Sequence, residues 1–377
     1  MSLPAGAAGE APRTDRRGPR HAWLANAGLL ALGLALCVVV LGGAEGVLRA
    51  WEPAYLVRTR GLHVTSETYG WSLRPAVATR IGGVPVTVNA DGYRGPALPP
   101  RLSGGPPRVV VLGDSIAFGY GVADDATFAA RLAARRFAVA NLAVQGYGTC
   151  QELIRLEREG LALEPDAVVL GVCLMNDFAD TVLPQFLYNG TTPQPWCSVE
   201  EGRLVIHTDH LRRAPLARAV VWLGDHSHLF GRAHAAFWGE PGTALLDRPA
   251  ADTDDPRAHW ARRYQRATKD RARVLEVVTA AILRIDDDCR RRGVRLVVAL
   301  FPGRRDFLET SPWRAGLREA VASAGITTVD MTERFQAAGL RFDQIAIDRV
   351  GHLNPRGHEL AAQALAERLA SSPARDP

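Results

Sequence analysis

Residues 109–121 read VVVLGDSIAFGYG. Val109–Leu112 is an apolar run rich in β-branched residues, the composition of a strand. Its lack of polar alternation predicts a strand covered on both faces of a parallel sheet. The run breaks at Gly113-Asp114-Ser115, so a serine stands where the chain leaves the sheet. Similar runs recur at Ala138–Ala143, Ala167–Leu174, Leu296–Phe301 and Thr327–Met331. Helical patterns separate them at Ala126–Arg136, Gln151–Leu163, Asp270–Arg292 and Pro312–Ala324, and a last helix is predicted over Pro355–Leu369. Strand alternating with helix requires parallel pairing through right-handed crossovers, hence a three-layer α/β/α sandwich.

Sites in such sheets form beyond the carboxyl ends of the strands. The first strand ends at Ser115; the second leads through Asn141 to VQGYGT, with Gly146 and Gly148; the third ends LMNDF, with Asn176 and Asp177. Near the C-terminus, IDRVGHLNPRGHEL places Asp348 and His352 just before the last helix. A serine hydroxyl becomes a nucleophile when a histidine takes its proton, and a carboxylate then fixes the histidine tautomer. The tetrahedral oxyanion needs preorganised donors: the Ser115 N–H, a glycine N–H in an open loop, and an amide such as Asn176. Three partners for His352 stay open: Asp348, nearest in sequence; Asp343, nine residues before it; or a backbone carbonyl in a Ser-His dyad.

Together these motifs resemble those of the SGNH (GDSL-like) hydrolases, in their bacterial membrane-anchored branch. The upstream Asn89-Ala-Asp-Gly92-Tyr-Arg94 is similar to a lead-in found in that branch. The likeness covers about residues 85–370 apart from one insertion. It implies a parallel flavodoxin-like sheet, a Ser115 nucleophile, a His352 base, and oxyanion donors at Ser115, Gly146 and Asn176; of the three open partners for His352, Asp348 is the favoured one. No cofactor or metal is implied, and no ligand cluster with metal spacing is visible in the sequence. The chain departs from the family pattern twice. Leu174 stands where glycine usually precedes the asparagine by two, and Asp348 and His352 have three residues between them rather than two. Residue 117 is alanine, so the Gly-x-Ser-x-Gly elbow of the α/β-hydrolases is absent.

Residues 22–44 carry no charge and are long enough to cross a bilayer core of roughly 30 Å. Arg13, Arg16, Arg17 and Arg20 precede them, which predicts a cytoplasmic N-terminus and an exported remainder. A cleaved signal peptide is the alternative, with Gly42 and Ala44 at a peptidase site, but the run exceeds the usual core of about 7–15 residues. The expected organisation is a basic tail over 1–21, a transmembrane anchor over 22–44, an extended arm over 45–105, and a hydrolase domain over 106–372. That domain carries an insertion at about 178–269, in which the apolar stretch 216–239 reads as a cap, a membrane-lying segment or plain packing.

The net charge of +5 is small for 377 residues, and the Arg290–Arg292 cluster follows Asp286–Asp288, a solvated helix face rather than a nucleic-acid groove. Cys150, Cys173, Cys197 and Cys289 would lie where disulfides form. Cys173 reads as a small apolar strand residue, with a bridge to Cys150 left open. The expected function is a membrane-anchored serine esterase acting on an acyl ester of a lipid, glycan or small molecule. Acyl transfer to a surface polysaccharide and a degenerate glycan-binding module are the alternatives.

Overall fold

The computed structural model describes residues 19–51, 62–81, 83–187, 192–213, 226–238, 259–309, 311–348 and 350–371, with 219, 222 and 223 besides. The expected basic tail lies almost wholly outside them, as do part of the arm and much of the 216–239 stretch. The chain divides into two units, residues 1–53 and 54–377. In the first, α1 (Pro19–Trp51) is a 33-residue helix. Its Asn26–Trp51 part holds an 18-residue window of mean hydropathy 2.4 and is long and apolar enough to cross a membrane. The helix runs on past residue 44, where Glu45 and Arg49 pair one turn apart at 2.7 Å.

The second unit opens with two hairpins, β1 (His63–Ser66) with β2 (Gly70–Leu73) and β3 (Val77–Ile81) with β4 (Val84–Val88). Then come β5 (Arg108–Gly113), α2 (Ser115–Phe118), α3 (Phe128–Ala133), β6 (Ala138–Asn141), α4 (Thr149–Arg158), β7 (Ala167–Cys173) and α5 (Asp177–Val182). The inserted interval adds a third hairpin, β8 (Trp196–Glu200) with β9 (Arg203–His207), and helices α6 (His228–Trp238) and α7 (His259–Ala267). The chain closes with α8 (Arg271–Arg290), β10 (Arg295–Phe301), α9 (Arg304–Leu308), α10 (Pro312–Ser323), β11 (Thr327–Asp330), α11 (Met331–Ala337) and α12 (Pro355–Ser371).

The central sheet is parallel, in the order β11-β10-β7-β5-β6. That is the flavodoxin-like order, and its switch point lies between β5 and β7. Pleating explains why both faces need apolar residues. Val109 and Val111 point into one core with α3, α11 and α12, whereas Val110 and Leu112 point into the other with α4, α8 and α10. Each such buried valine or leucine contributes about 1.5–3 kcal/mol over leaving it exposed.

Two expectations change in the structure. The 45–105 stretch is more than an extended arm: its alternating segments pair as hairpins, the first of which packs on the loop after β6 and the start of α4. Trp71 Nε1 donates to Gln145 O at 3.0 Å, Tyr147 Oη to Trp71 O at 2.6 Å, and Gln151 Nε2 to Tyr69 O at 2.9 Å. The open bridge between Cys150 and Cys173 does not form. Cys150 bonds Cys197 of β8, and Cys173 stays a buried free thiol, because β7 aims it into the sheet core while α4 faces the third hairpin.

Candidate active site

The site begins with the turn at the end of β5. Gly113 has φ +147°, and a Cβ there would lie 2.5 Å from Ala117 Cβ and 2.9 Å from Gly171 O, so only glycine fits. Asp114 caps α2 by accepting from Ile116 N at 2.8 Å, which starts the helix at Ser115 and fixes the direction of its side chain.

Ser115 Oγ lies 2.7 Å from His352 Nε2, and His352 Nδ1 lies 2.5 Å from Asp348 Oδ2. Ser115 and His352 are buried, 7% and 6% exposed. Burial alone pushes the Asp348 carboxyl up, but bonds from the His352 ring and from the Gly351 and His352 N–H groups outweigh it and hold the pKa below the usual value. The ionised carboxylate is an acceptor only, so His352 Nδ1 carries the proton and Nε2 presents a lone pair to the serine O–H. Asp343 lies elsewhere: it is exposed and paired with Arg341 at 3.0 Å.

Gly146 and Asn176 flank the nucleophile's strand from β6 and β7. Gly146 has φ +76°, and a Cβ there would meet the Phe186 ring at 2.4 Å. Among the described residues neither the Ser115 nor the Gly146 backbone N–H has a hydrogen-bond acceptor. Asn176 is arranged differently from the free amide donor read from the sequence. Its Nδ2 donates to Asp180 Oδ2 at 3.0 Å and Asp177 Oδ1 at 3.3 Å, while its buried Oδ1 has no partner among the described residues.

Behind the serine lies a buried group of acids. Burial, reinforced by mutual repulsion, raises the pKa of Glu152 and Asp177 well above the ordinary range. Burial also raises Asp114, against the Ile116 N–H bond and the charge of His352. Asp180 is pushed up to about 7 by burial, against the pull of Asn176 and the Leu187 N–H. Neither Glu152 carboxyl oxygen is bonded among the described residues, as a neutral carboxyl tolerates better than a charged one. No group of three or more His, Cys, Asp or Glu arranged to hold a metal occurs among the described residues.

Two neighbours of the site escaped the sequence reading. The Tyr120 ring stands 4.6 Å from the His352 ring, yet in FGYG it reads as core. Asp180 reaches Asn176 from one helical turn further on, a spacing visible as Asn176-x-x-x-Asp180 but common on any helix.

The sequence profile described as the GDSL-like Lipase/Acylhydrolase family matches residues 111–360, well over half the chain. No curated protein matches. Several solved structures are similar at low identity. One is a putative lipolytic protein of the G-D-S-L family from Desulfitobacterium hafniense, 12% identical over 69% of this chain and 98% of that one, with a TM-score of 0.36. A catalytic mutant of an acetylxylan esterase from Geobacillus stearothermophilus is 13% identical over 72% and 98%, with a TM-score of 0.38. A two-domain esterase active on acetylated mannans is 11% identical over 70% and 48%, with a TM-score of 0.35.

Proposed function

The chain belongs to the GDSL-like lipase/acylhydrolase family, an ester-hydrolysing enzyme by that membership, and from that premise we propose that it is a membrane-anchored serine esterase whose catalytic domain lies outside the cytoplasm. The observation that carries the mechanism is the continuous line from Ser115 Oγ through the His352 ring to Asp348, at 2.7 and 2.5 Å. Ser115 Oγ attacks the ester carbonyl carbon as its proton passes to His352 Nε2, and Asp348 steadies the imidazolium. The oxyanion is received by the N–H groups of Ser115 and Gly146, with Asn176 as third donor once its amide exchanges its carboxylate partners. The imidazolium returns its proton to the departing alkoxide, which leaves an acyl-Ser115. Water, deprotonated by the same histidine, releases the acid. The substrate is an acyl ester of a lipid, glycan or small molecule.

The anchor reading is supported by α1 and by the arginines ahead of it. A disulfide between Cys150 and Cys197 fits an oxidising compartment, which is where the arginine bias sends this domain.

The test uses the full chain in detergent with a fluorophosphonate probe and esters from acetyl to long acyl. Probe labelling and hydrolysis are expected in the wild type and absent from Ser115→Ala, with the melting temperature almost unchanged. Labelling that survives the substitution assigns the nucleophile elsewhere. In membranes, the chain is expected to resist carbonate extraction, with its C-terminus open to protease from the exported side alone. A soluble form beginning near Glu45 overturns the anchor.

A further inference from the structure

A buried cation that the proposed chemistry does not use holds the segment following the nucleophile. Helix α2 is a single turn, so its last carbonyls find no partner within the helix. Asn141 Nδ2 donates to Ala117 O at 3.2 Å and Phe118 O at 3.4 Å. The Arg94 guanidinium supplies the rest. Its Nη1 donates to Phe118 O at 2.8 Å and also to Gly119 O, its Nη2 to Val122 O at 2.6 Å, and its Nε to Asp124 Oδ1 at 3.1 Å. Its central carbon lies 4.4 Å from the centre of the Phe118 ring. The residue is 4% exposed, and burial lowers its pKa while Asp124 opposes that. Only a planar fork reaches three carbonyls and a carboxylate at once; an ammonium does not.

The lead-in is shaped to deliver this group. Asn89 Oδ1 accepts from Asp91 N and Tyr93 N, Gly92 turns at φ +82°, and Arg94 N bonds Asn141 O at 3.1 Å. The segment held by the guanidinium meets His352 and the residue before Asp348. Tyr120 packs its ring on His352. At Gly121 a Cβ would lie 2.2 Å from Ile347 Cδ1, on the residue before Asp348.

We propose that Arg94 is a positioning residue of the hydrolase. Through residues 118–124 it sets the contact of Tyr120 with His352, and so the direction in which Nε2 meets Ser115 Oγ. The inference rests on the roles proposed for Ser115 and His352; Arg94 itself touches no reacting atom.

The test compares wild type, Arg94→Ala and Arg94→Lys as full chains, with active sites counted by fluorophosphonate labelling. Arg94→Ala is expected to lose about ten- to a hundredfold in kcat per labelled site, the scale of a small misplacement of reacting groups. KM is expected to change little. The acid limb of kcat/KM, which reports the base of the free enzyme, moves. Millimolar guanidinium restores part of kcat in Arg94→Ala and none in the wild type, and Arg94→Lys falls between the two. A kcat per site and an acid limb equal to the wild type's, whatever the melting temperature, reduce Arg94 to a folding role and overturn the proposal. If Arg94→Ala does not fold, Arg94→Lys and Asp124→Asn are read the same way, and wild-type kcat in both overturns it. A wild-type chain inert to the probe removes the esterase reading and the clamp with it. An active wild type equalled by Arg94→Ala removes the clamp alone.

Discussion

Asp348 and His352 are bonded side chain to side chain at 2.5 Å across three intervening residues. The extra residue is taken up by the backbone. Gly351 sits at φ +109°, where a Cβ would be 2.5 Å from Pro302 O, and Asp348 Oδ1 folds back to accept the Gly351 and His352 N–H groups. Ile347 N donates to His352 O at 2.8 Å, which closes the loop.

From this pairing, Asp348→Asn is expected to lower kcat by about 10⁴-fold, because an amide favours the wrong histidine tautomer. Asp343→Asn should match the wild type. A steady-state assay on any hydrolysed ester decides between them, and near-normal turnover in Asp348→Asn returns the site to a dyad.

Gly146→Ala is expected to cost about 10²–10³-fold in kcat, the scale of losing one oxyanion donor. The added methyl meets the Phe186 ring and disfavours the φ of +76°, so the N–H turns from the serine. The measurement is the single-turnover acylation rate; an unchanged rate would place the donor elsewhere.

Asp180 sets a pH dependence. Below about 7 its carboxyl is protonated and holds Asn176 Nδ2 less strongly, which frees that N–H for the oxyanion. Above 7 the carboxylate holds Nδ2. A falling alkaline limb in kcat is expected, absent from Asp180→Asn; the same limb in both enzymes removes Asp180 from the effect. Stability follows the same proton. The folded value lies above the unfolded one near 3.8, so the folded state binds the proton more tightly. This contribution is full below about pH 4 and is lost as pH rises through 7, by up to about 4 kcal/mol. Asp180→Asn is accordingly expected to melt higher than the wild type at pH 8, and less so at pH 5.

Reduction of Cys150–Cys197 opens a loop spanning 47 residues, for which chain entropy gives about 4 kcal/mol. Melting with and without a thiol reductant should differ, while Cys150→Ser with Cys197→Ser should melt low in both. Equal melting of the reduced and oxidised wild type would show that α8 and the neighbouring packing hold the hairpin unaided.

The sheet was legible in the sequence because its signal is local. A strand buried on both faces must be apolar throughout, as Val109–Leu112 and Ala167–Cys173 are, and each is bounded by turn residues. The positions of Ser115, Gly146 and Asn176 beyond strand ends follow from the same reading, as does that of His352 in the loop before the last helix. Partner choice is not local. Asp348 is the acid nearest the histidine in sequence, but only the turn at Gly351 aims it at the imidazole. Two histidines stand six residues apart, one in the last loop and one in α12; His352 meets Ser115, whereas His358 is buried, accepts from Phe128 N and has its pKa lowered to about 3 by desolvation. Cys150 pairs with Cys197 rather than Cys173 because Cys173 points into the core on the other face of the sheet while Cys150 lies against β8. The Asn176 amide is turned by carboxylates that only the packed structure brings beside it. Composition and period determine which elements form, but hydrogen bonds between residues distant in sequence depend on directions that only the assembled layers set.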